Sequence, residues 1–120
     1  MFKKFIILMI FIISPVFAGE FEDASKVYSK VFLYLYSPKC IYCVKFDPQY
    51  EILSKKYANC KFIKIDVNSK YGTLLMRKIN AYYVPYIALV DNKNKTLQNI
   101  SPSCIVDNAC IKDQMNKFVK

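Results

Sequence analysis

Residues 31–43, VFLYLYSPKCIYC, decide the fold of this chain. The stretch opens with six aromatic or branched apolar residues in a row, a pattern typical of a strand buried on both faces, as in a parallel sheet. A polar break at 37–39 ends the run, and a C-x-x-C pair, Cys40 and Cys43, follows where helical spacing begins. We therefore expect a central strand that delivers two cysteines to the start of a helix.

Helices and strands alternate on either side of this stretch. Apolar residues at helical spacing predict helices over 21–29, 41–57, 71–79 and 107–119. Apolar runs predict further strands over 61–67, 86–90 and 96–100, the last two joined by a polar hairpin loop at 91–95. Inside the second helix, Pro48 predicts a kink near Asp47.

The connections fix how these strands pair. A crossover helix makes the first two strands parallel, whereas the hairpin makes the last two antiparallel. The sequence therefore predicts an α/β fold in which a mixed four-stranded sheet carries helices on both faces. One domain over 19–120 accounts for all of these elements.

Residues 1–18 have the pattern of a secretory signal peptide. Lys3 and Lys4 precede nine unbroken apolar residues, and short side chains lead to Ala18, after which cleavage is expected. A retained membrane anchor is the alternative, but a spanning helix needs roughly 20 apolar residues. We expect an exported chain, periplasmic or secreted, without stable membrane insertion after cleavage.

The charge and the cysteine content limit the possible partners. The net charge of +9 falls to +7 when Lys3 and Lys4 are removed. The remaining basic residues are scattered, so nucleic acid is not indicated as a partner, and attraction to anionic partners is the expected consequence. Five cysteines in an exported chain of this size meet an oxidising compartment, where disulfides persist. The mature chain is expected to be a monomer.

Cys40 and Cys43 are placed for thiol-disulfide exchange. Unpaired amides at a helix N-terminus stabilise an anion, so the thiol pKa of Cys40 is expected to be lowered and Cys40 to act as the nucleophile. Cys43 lies within one turn and can resolve a mixed disulfide formed on Cys40. This chemistry needs no metal or organic cofactor. The chain has no histidine, which disfavours a zinc site and rules out attachment of a c-type haem.

Most of the mature chain resembles the thioredoxin superfamily. Besides the strand and the cysteine pair, the resemblance rests on Pro48, eight residues after Cys40, and on Val84-Pro85 before a strand. It implies that Pro85 is a cis proline facing the cysteines, and that the backbone of Val84 pairs with a bound substrate chain. An ordinary trans proline at a strand start is the alternative. The resemblance also implies that protein thiols and disulfides are the substrates and that a redox partner protein exists.

The sequence departs from the family pattern around the cysteines. Lys39 replaces the usual tryptophan, and Ile41-Tyr42 replaces Gly-Pro. The buried acid that thioredoxin carries six residues before its first cysteine falls on Tyr34, which cannot act as a carboxylate base near neutral pH. The direction of electron flow is therefore left open.

The other cysteines are expected to be structural. Cys104 and Cys110 bracket a loop at 105–109 and are expected to form a disulfide, with a second redox pair as the alternative. Cys60 is expected to be a buried free thiol, although its pairing with Cys104 or Cys110 stays open.

Four tyrosines flank the two loops of the expected site. We expect them to form an apolar, hydrogen-bonding rim for an extended substrate chain. They are Tyr42, Tyr82, Tyr83 and Tyr86. Tyr42, together with Val84 and Pro85, makes up the expected substrate-binding residues.

Three functions are compatible with these residues. The leading one is a thiol-disulfide oxidoreductase acting through Cys40 and Cys43. The second is a non-catalytic binding or chaperone module that uses the groove at Pro85. The third is a carrier that holds a soft ion such as Cu(I) between two thiolates.

Overall fold

The computed structural model describes residues 19–120, so the expected signal peptide over 1–18 lies outside the described residues and stays a prediction. The strands are β1 (Lys30–Tyr36), β2 (Lys61–Asp66), β3 (Tyr86–Asp91) and β4 (Thr96–Ile100). The helices are α1 (Glu20–Val27), α2 (Ile41–Lys56), α3 (Lys70–Lys78), α4 (Pro102–Ile105) and α5 (Asn108–Phe118). Within this part of the chain, no helix combines the length and apolarity that crossing a membrane requires.

The four strands form one mixed sheet in the order β2-β1-β3-β4. β1 pairs in parallel with β2 and antiparallel with β3, and β3 pairs antiparallel with β4. The parallel register sets Tyr34 of β1 beside Lys64 of β2. With helices on both faces, this arrangement confirms the predicted fold class. β1 lies inside the sheet, as the unbroken apolar run of 31–36 indicated.

Two hydrophobic cores fill the two faces of the sheet. Phe32 and Tyr34 of β1 point into the core formed with α2, α4 and α5. Val31, Leu33 and Leu35 point into the core formed with α1 and α3. This alternation follows from the period of two along a strand, and it explains why β1 is apolar at every position.

Helix α4 was not predicted from the sequence. It includes Ile105, and α5 already includes Asn108 and Ala109, so the loop expected over 105–109 was wrong and only Val106 and Asp107 connect the two helices. Ser101 caps α4 by accepting a hydrogen bond from the Cys104 amide, and Pro102 is the first helical residue. Both are ordinary features of a helix start. Four residues are too few to show a helical apolar period, which is why only Ser101-Pro102 hints at α4 in the sequence.

Helix α3 approaches the end of β2 very closely. A Cβ atom added at Gly72 would lie 2.0 Å from the carbonyl oxygen of Asp66. Ser69 caps the helix, accepting from the Gly72 amide at 2.9 Å and donating to the same Asp66 carbonyl at 2.6 Å. Glycine is therefore required at this position by the close packing of the helix on the strand end.

Candidate active site

Cys40 is the N-cap residue of helix α2. Its backbone is extended, and its Sγ accepts a hydrogen bond from the Cys43 amide at 3.2 Å. The Cys40 amide donates to the Ser37 carbonyl at 3.0 Å, which fixes the turn between β1 and α2. The sulfur thus occupies the place that a Ser or Asp oxygen takes at other helix starts. Free backbone amides and the positive end of the helix dipole point towards it.

Cys43 lies behind Cys40 and is inaccessible to solvent. Both are free thiols, but Cys40 is partly exposed, whereas the exposed fraction of Cys43 is 0%. Burial raises the pKa of Cys43 to about 11, and a hydrogen bond with Cys40 adds to the rise. Hydrogen bonds with the Ser37 backbone and with the Tyr34 hydroxyl act in the opposite direction. Cys43 is therefore protonated at neutral pH, and Cys40 is the sulfur that a partner molecule can reach.

A polar network lies directly below the cysteine pair. The Tyr34 hydroxyl is 3.1 Å from the carbonyl oxygen of Cys43 and 3.0 Å from Oδ1 of Asp47. Oδ1 of Asp47 is in turn 3.3 Å from Nζ of Lys64. Burial, followed by the hydrogen bond to Asp47, raises the pKa of Tyr34 well above its ordinary value, so the phenol keeps its proton. The buried tyrosine thus connects Cys43 with a charged pair on the surface.

Asp47 and Lys64 are site residues that the sequence reasoning missed. Two signals could have indicated them. Asp47 follows Cys43 by four residues, which places both on one side of α2. The parallel pairing of β1 with β2 sets Lys64 beside Tyr34.

An apolar groove of about 320 Å³ lies beside the start of α2. It is lined by Tyr42, Tyr83, Val84, Pro85, Pro102, Ser103 and Val106. The structure therefore brings the three expected substrate-binding residues to one surface, and the Val84–Pro85 peptide bond is cis. Pro102 and Ser103 of α4, together with Val106, form one wall of the groove, which the sequence did not predict.

The tyrosine rim is smaller than the sequence suggested. Tyr42 and Tyr83 line the groove, whereas Tyr82 is exposed and is not part of the lining. Tyr86 is buried in the core on the opposite face of the sheet, so its assignment to the rim was wrong. The reason is strand alternation, because the next residue, Ile87, faces the side of α2.

The remaining cysteines lie on the same face of the sheet as the site. Cys104 and Cys110 form a disulfide between α4 and α5, with Cα atoms 5.2 Å apart. Cys60 is a free thiol in the same core, and burial raises its pKa to about 12. Across residues 19–120, no three or more His, Cys, Asp or Glu side chains are grouped so that they could bind a metal ion.

Comparisons with solved structures identify thioredoxins as structural neighbours. Thioredoxin O2 from Arabidopsis thaliana, in its oxidized state, has a TM-score of 0.70 at 23% identity, covering 84% of this chain and 88% of its own. Mitochondrial thioredoxin 3 from Saccharomyces cerevisiae has a TM-score of 0.69 at 18% identity, covering 82% and 87%. A mutant thioredoxin from Halobacterium salinarum has a TM-score of 0.72 at 20% identity, covering 84% of each chain. At these identities the likeness shows the fold.

Comparisons at the sequence level assign the family. The search of curated protein sequences found no significant match. The family model described as Thioredoxin matches residues 14–117, and Cys40 and Cys43 fit the C-x-x-C motif through which members of that family exchange thiols and disulfides. Because the match covers nearly the whole chain, and because the fold and the cysteine pair agree with it, this chain belongs to the thioredoxin family.

Proposed function

We propose that this chain is an exported thiol-disulfide oxidoreductase that acts on protein substrates, with Cys40 as the nucleophile and Cys43 as the resolving thiol. One observation carries the proposal. An accessible sulfur caps the start of α2, and a second, fully buried thiol lies one turn behind it. Accessible thiols at helix N-termini are the reactive ones, whereas buried thiols are inert until a neighbour activates them.

The reaction follows from this placement. The Cys40 thiolate attacks a disulfide in a substrate protein, forming a mixed disulfide and releasing the first substrate thiolate. Cys43 then loses its proton and attacks the Cys40 sulfur, which displaces the second substrate thiolate and leaves a disulfide between Cys40 and Cys43. The substrate gains two electrons and the cysteine pair loses them. The same steps in reverse oxidise a substrate dithiol, and no cofactor takes part.

The groove supplies a place for the substrate chain. Tyr42, Val84 and Pro85 line it beside the nucleophile, and its apolar character suits the side chains that flank a substrate cysteine. We propose that an extended segment of a partner protein lies there, with its backbone pairing with Val84. The partners are protein thiols and disulfides, including those of a redox partner that resets the pair.

Export is the second part of the proposal. It is supported by the lysines and apolar run of 1–18, and by the disulfide between Cys104 and Cys110, a bond typical of oxidising compartments. Mass spectrometry of the protein from the cell envelope or medium should find a chain that begins at Gly19. A protein that keeps residues 1–18 in those fractions would contradict cleavage.

The reduction potential of the Cys40–Cys43 pair tests the enzymatic part of the proposal. Trypsin cuts after Lys39 and Lys45, so the peptide of residues 40–45 contains these two cysteines and no other. After equilibration with glutathione, the oxidised fraction of this peptide gives the potential. A value near roughly −270 mV would indicate a reductase, and one near roughly −120 mV would indicate a disulfide-forming oxidant. If the pair does not exchange at all, the enzymatic function is wrong.

A binding or chaperone module is the second candidate. The groove favours it, since its lining is mostly apolar and does not include either reactive cysteine. Under this function, a Cys40→Ser variant would bind unfolded protein as well as the unaltered chain does. Loss of all exchange in Cys40→Ser, together with normal exchange in the unaltered chain, would decide for the oxidoreductase.

A further inference from the structure

Resolution of a mixed disulfide poses a proton-transfer problem at Cys43. Cys43 has to lose its proton before it can attack, yet its exposed fraction is 0%. Cys40 is not available as the proton acceptor at that moment, because its sulfur is bonded to the substrate. The Tyr34 side chain approaches Cys43 from β1: its hydroxyl lies 3.1 Å from the Cys43 carbonyl oxygen and forms a hydrogen bond with the Cys43 thiol.

The polar network below the site leads from this buried thiol to solvent. Tyr34 is itself fully buried, and its hydroxyl lies 3.0 Å from Oδ1 of Asp47. The Asp47 side chain keeps 38% of its surface exposed, so its carboxylate can exchange protons with water. A phenol has lone pairs to accept a hydrogen bond and a proton to donate. Tyr34 can therefore accept from the Cys43 thiol while donating to Asp47.

We propose that Asp47 takes up the Cys43 proton through the Tyr34 hydroxyl when Cys43 resolves a mixed disulfide, an assignment that rests on the function proposed above. In this step the Cys43 S–H proton moves to the Tyr34 oxygen as the Tyr34 proton moves to Oδ1 of Asp47. The Cys43 sulfur forms a bond to the Cys40 sulfur, and the bond between Cys40 and the substrate breaks. The substrate leaves as a thiolate with the electron pair of that bond, and Asp47 later releases the proton to water.

Lys64 is the positioning residue of this network. Its Nζ lies 3.3 Å from Oδ1 of Asp47 and 4.4 Å from the ring centroid of Tyr36. Lys64 is fixed in place by its β2 register beside Tyr34. The ammonium therefore holds the Asp47 carboxylate on the side of α2 that faces the tyrosine.

Two variants interrupt the network at different points, and each has a matched control. Tyr34→Phe removes the hydroxyl and keeps the ring, and Asp47→Asn removes the proton-accepting carboxylate. Tyr50→Phe removes a hydroxyl from a ring 5.3 Å from that of Tyr34. Asp113→Asn removes a carboxylate from a surface ion pair with Lys117.

The experiment follows the two chemical steps separately. The reduced chain is mixed with DTNB, quenched with acid and N-ethylmaleimide, and digested, and the 40–45 peptide is analysed by mass spectrometry. Formation of the thionitrobenzoate adduct on Cys40 should proceed at the unaltered rate in all four variants. Its conversion to the Cys40–Cys43 disulfide should be on the order of 100-fold slower in Tyr34→Phe and Asp47→Asn, in line with loss of a general base. The deficit should shrink as the pH rises towards about 11, where Cys43 ionises without help. Asp47→Glu should recover part of the rate.

The possible outcomes separate the relay from the function on which it rests. Conversion at the unaltered rate in both variants, with an unaltered pH profile, would overturn the relay and leave the oxidoreductase intact. Equal slowing in the Tyr50→Phe control would also overturn it, since the loss would then reflect packing. Failure of the unaltered chain to form an adduct on Cys40 would overturn the proposed function and the relay together.

Discussion

Cys40 and Cys43 are chemically identical residues in opposite surroundings. One caps a helix and faces solvent, and the other is enclosed by the core with its pKa raised to about 11. Their division of work follows from this difference in access, and the raised pKa of Cys43 adds to it. Exchanging the two roles would require turning the start of α2 around.

Replacing each cysteine by serine should give two distinct results. Cys43→Ser should form a mixed disulfide with substrate on Cys40 that persists, because the resolving thiol is missing. Cys40→Ser should form no such adduct, since Cys43 is buried. Non-reducing electrophoresis and mass spectrometry of the 40–45 peptide will distinguish the two. Adducts on Cys43 in the Cys40→Ser variant would contradict the assignment of roles.

At the scale of residues, the sequence revealed what lies close together along the chain. The C-x-x-C pair could be located from its position after an apolar run and before helical spacing. The contact between Tyr34 and Asp47 could not, because it depends on the rotation of α2 over the sheet. The inward direction of Tyr86 depends on strand alternation, which an unbroken apolar run does not reveal.

Helix α4 shows how an element too short to be noticed shapes the site. It supplies Pro102 and Ser103 to the groove, and the disulfide between Cys104 and Cys110 fastens it to α5. The longer elements could be predicted because each spans enough residues to show its period. A four-residue helix spans barely one turn and leaves no such pattern.

Removing the disulfide should loosen this wall of the groove. A double variant, Cys104→Ala with Cys110→Ala, should lower the free energy of unfolding by about 2 kcal/mol, the loop-closure value for a short loop. Urea unfolding of the unaltered chain and of the double variant, each with and without dithiothreitol, measures this difference. By breaking the disulfide, the reductant should lower the free energy of unfolding of the unaltered chain, and it should have no such effect in the double variant, which lacks the bond. KM for a protein disulfide should rise, while the rate with DTNB stays the same. An unchanged KM would show that α4 does not contact the substrate.

The packing of α3 on β2 gives a second prediction at this scale. Gly72→Ala should destabilise the chain by about 1–3 kcal/mol, the usual cost of overpacking, although alanine favours helices. The reason is the carbonyl of Asp66, which the new methyl group would approach to 2.0 Å unless the helix moves. Thermal unfolding measures the change, with exposed Lys70→Ala in the same helix as the control. A stabilised Gly72→Ala variant would show that α3 can shift freely.

For the whole molecule, buried thiols make stability sensitive to alkaline pH. The pKa values of Cys43 and Cys60 rise from an ordinary 9.0 to about 11 and about 12. Between the ordinary and the raised values, the unfolded chain has released protons that the folded chain still holds. The free energy of unfolding therefore falls as the pH rises above about 9. Below that pH, the stabilisation that comes from these two protonated thiols is fully present.

The Cys60→Ala variant isolates one of these contributions. Between pH 9 and 11, its free energy of unfolding should fall less steeply than that of the unaltered chain, by up to about 1.4 kcal/mol per pH unit. Urea unfolding at several pH values measures both slopes. Equal slopes would mean that Cys60 ionises as readily in the folded chain as in the unfolded one.

The two cores also make the sheet a partition. Every cysteine of residues 19–120 lies on the side of α2, α4 and α5, and the core that the structure describes on the side of α1 and α3 contains none. Because alternate β1 residues face opposite sides of the sheet, side chains of one core can be substituted without substituting those of the other. Evolution or a protein engineer can rebuild the cysteine-free side for heat tolerance or for a new attachment surface. The cysteine pair lies outside that core and would keep its surroundings, whereas Tyr83, which lines the groove and packs against that core, would have to be kept.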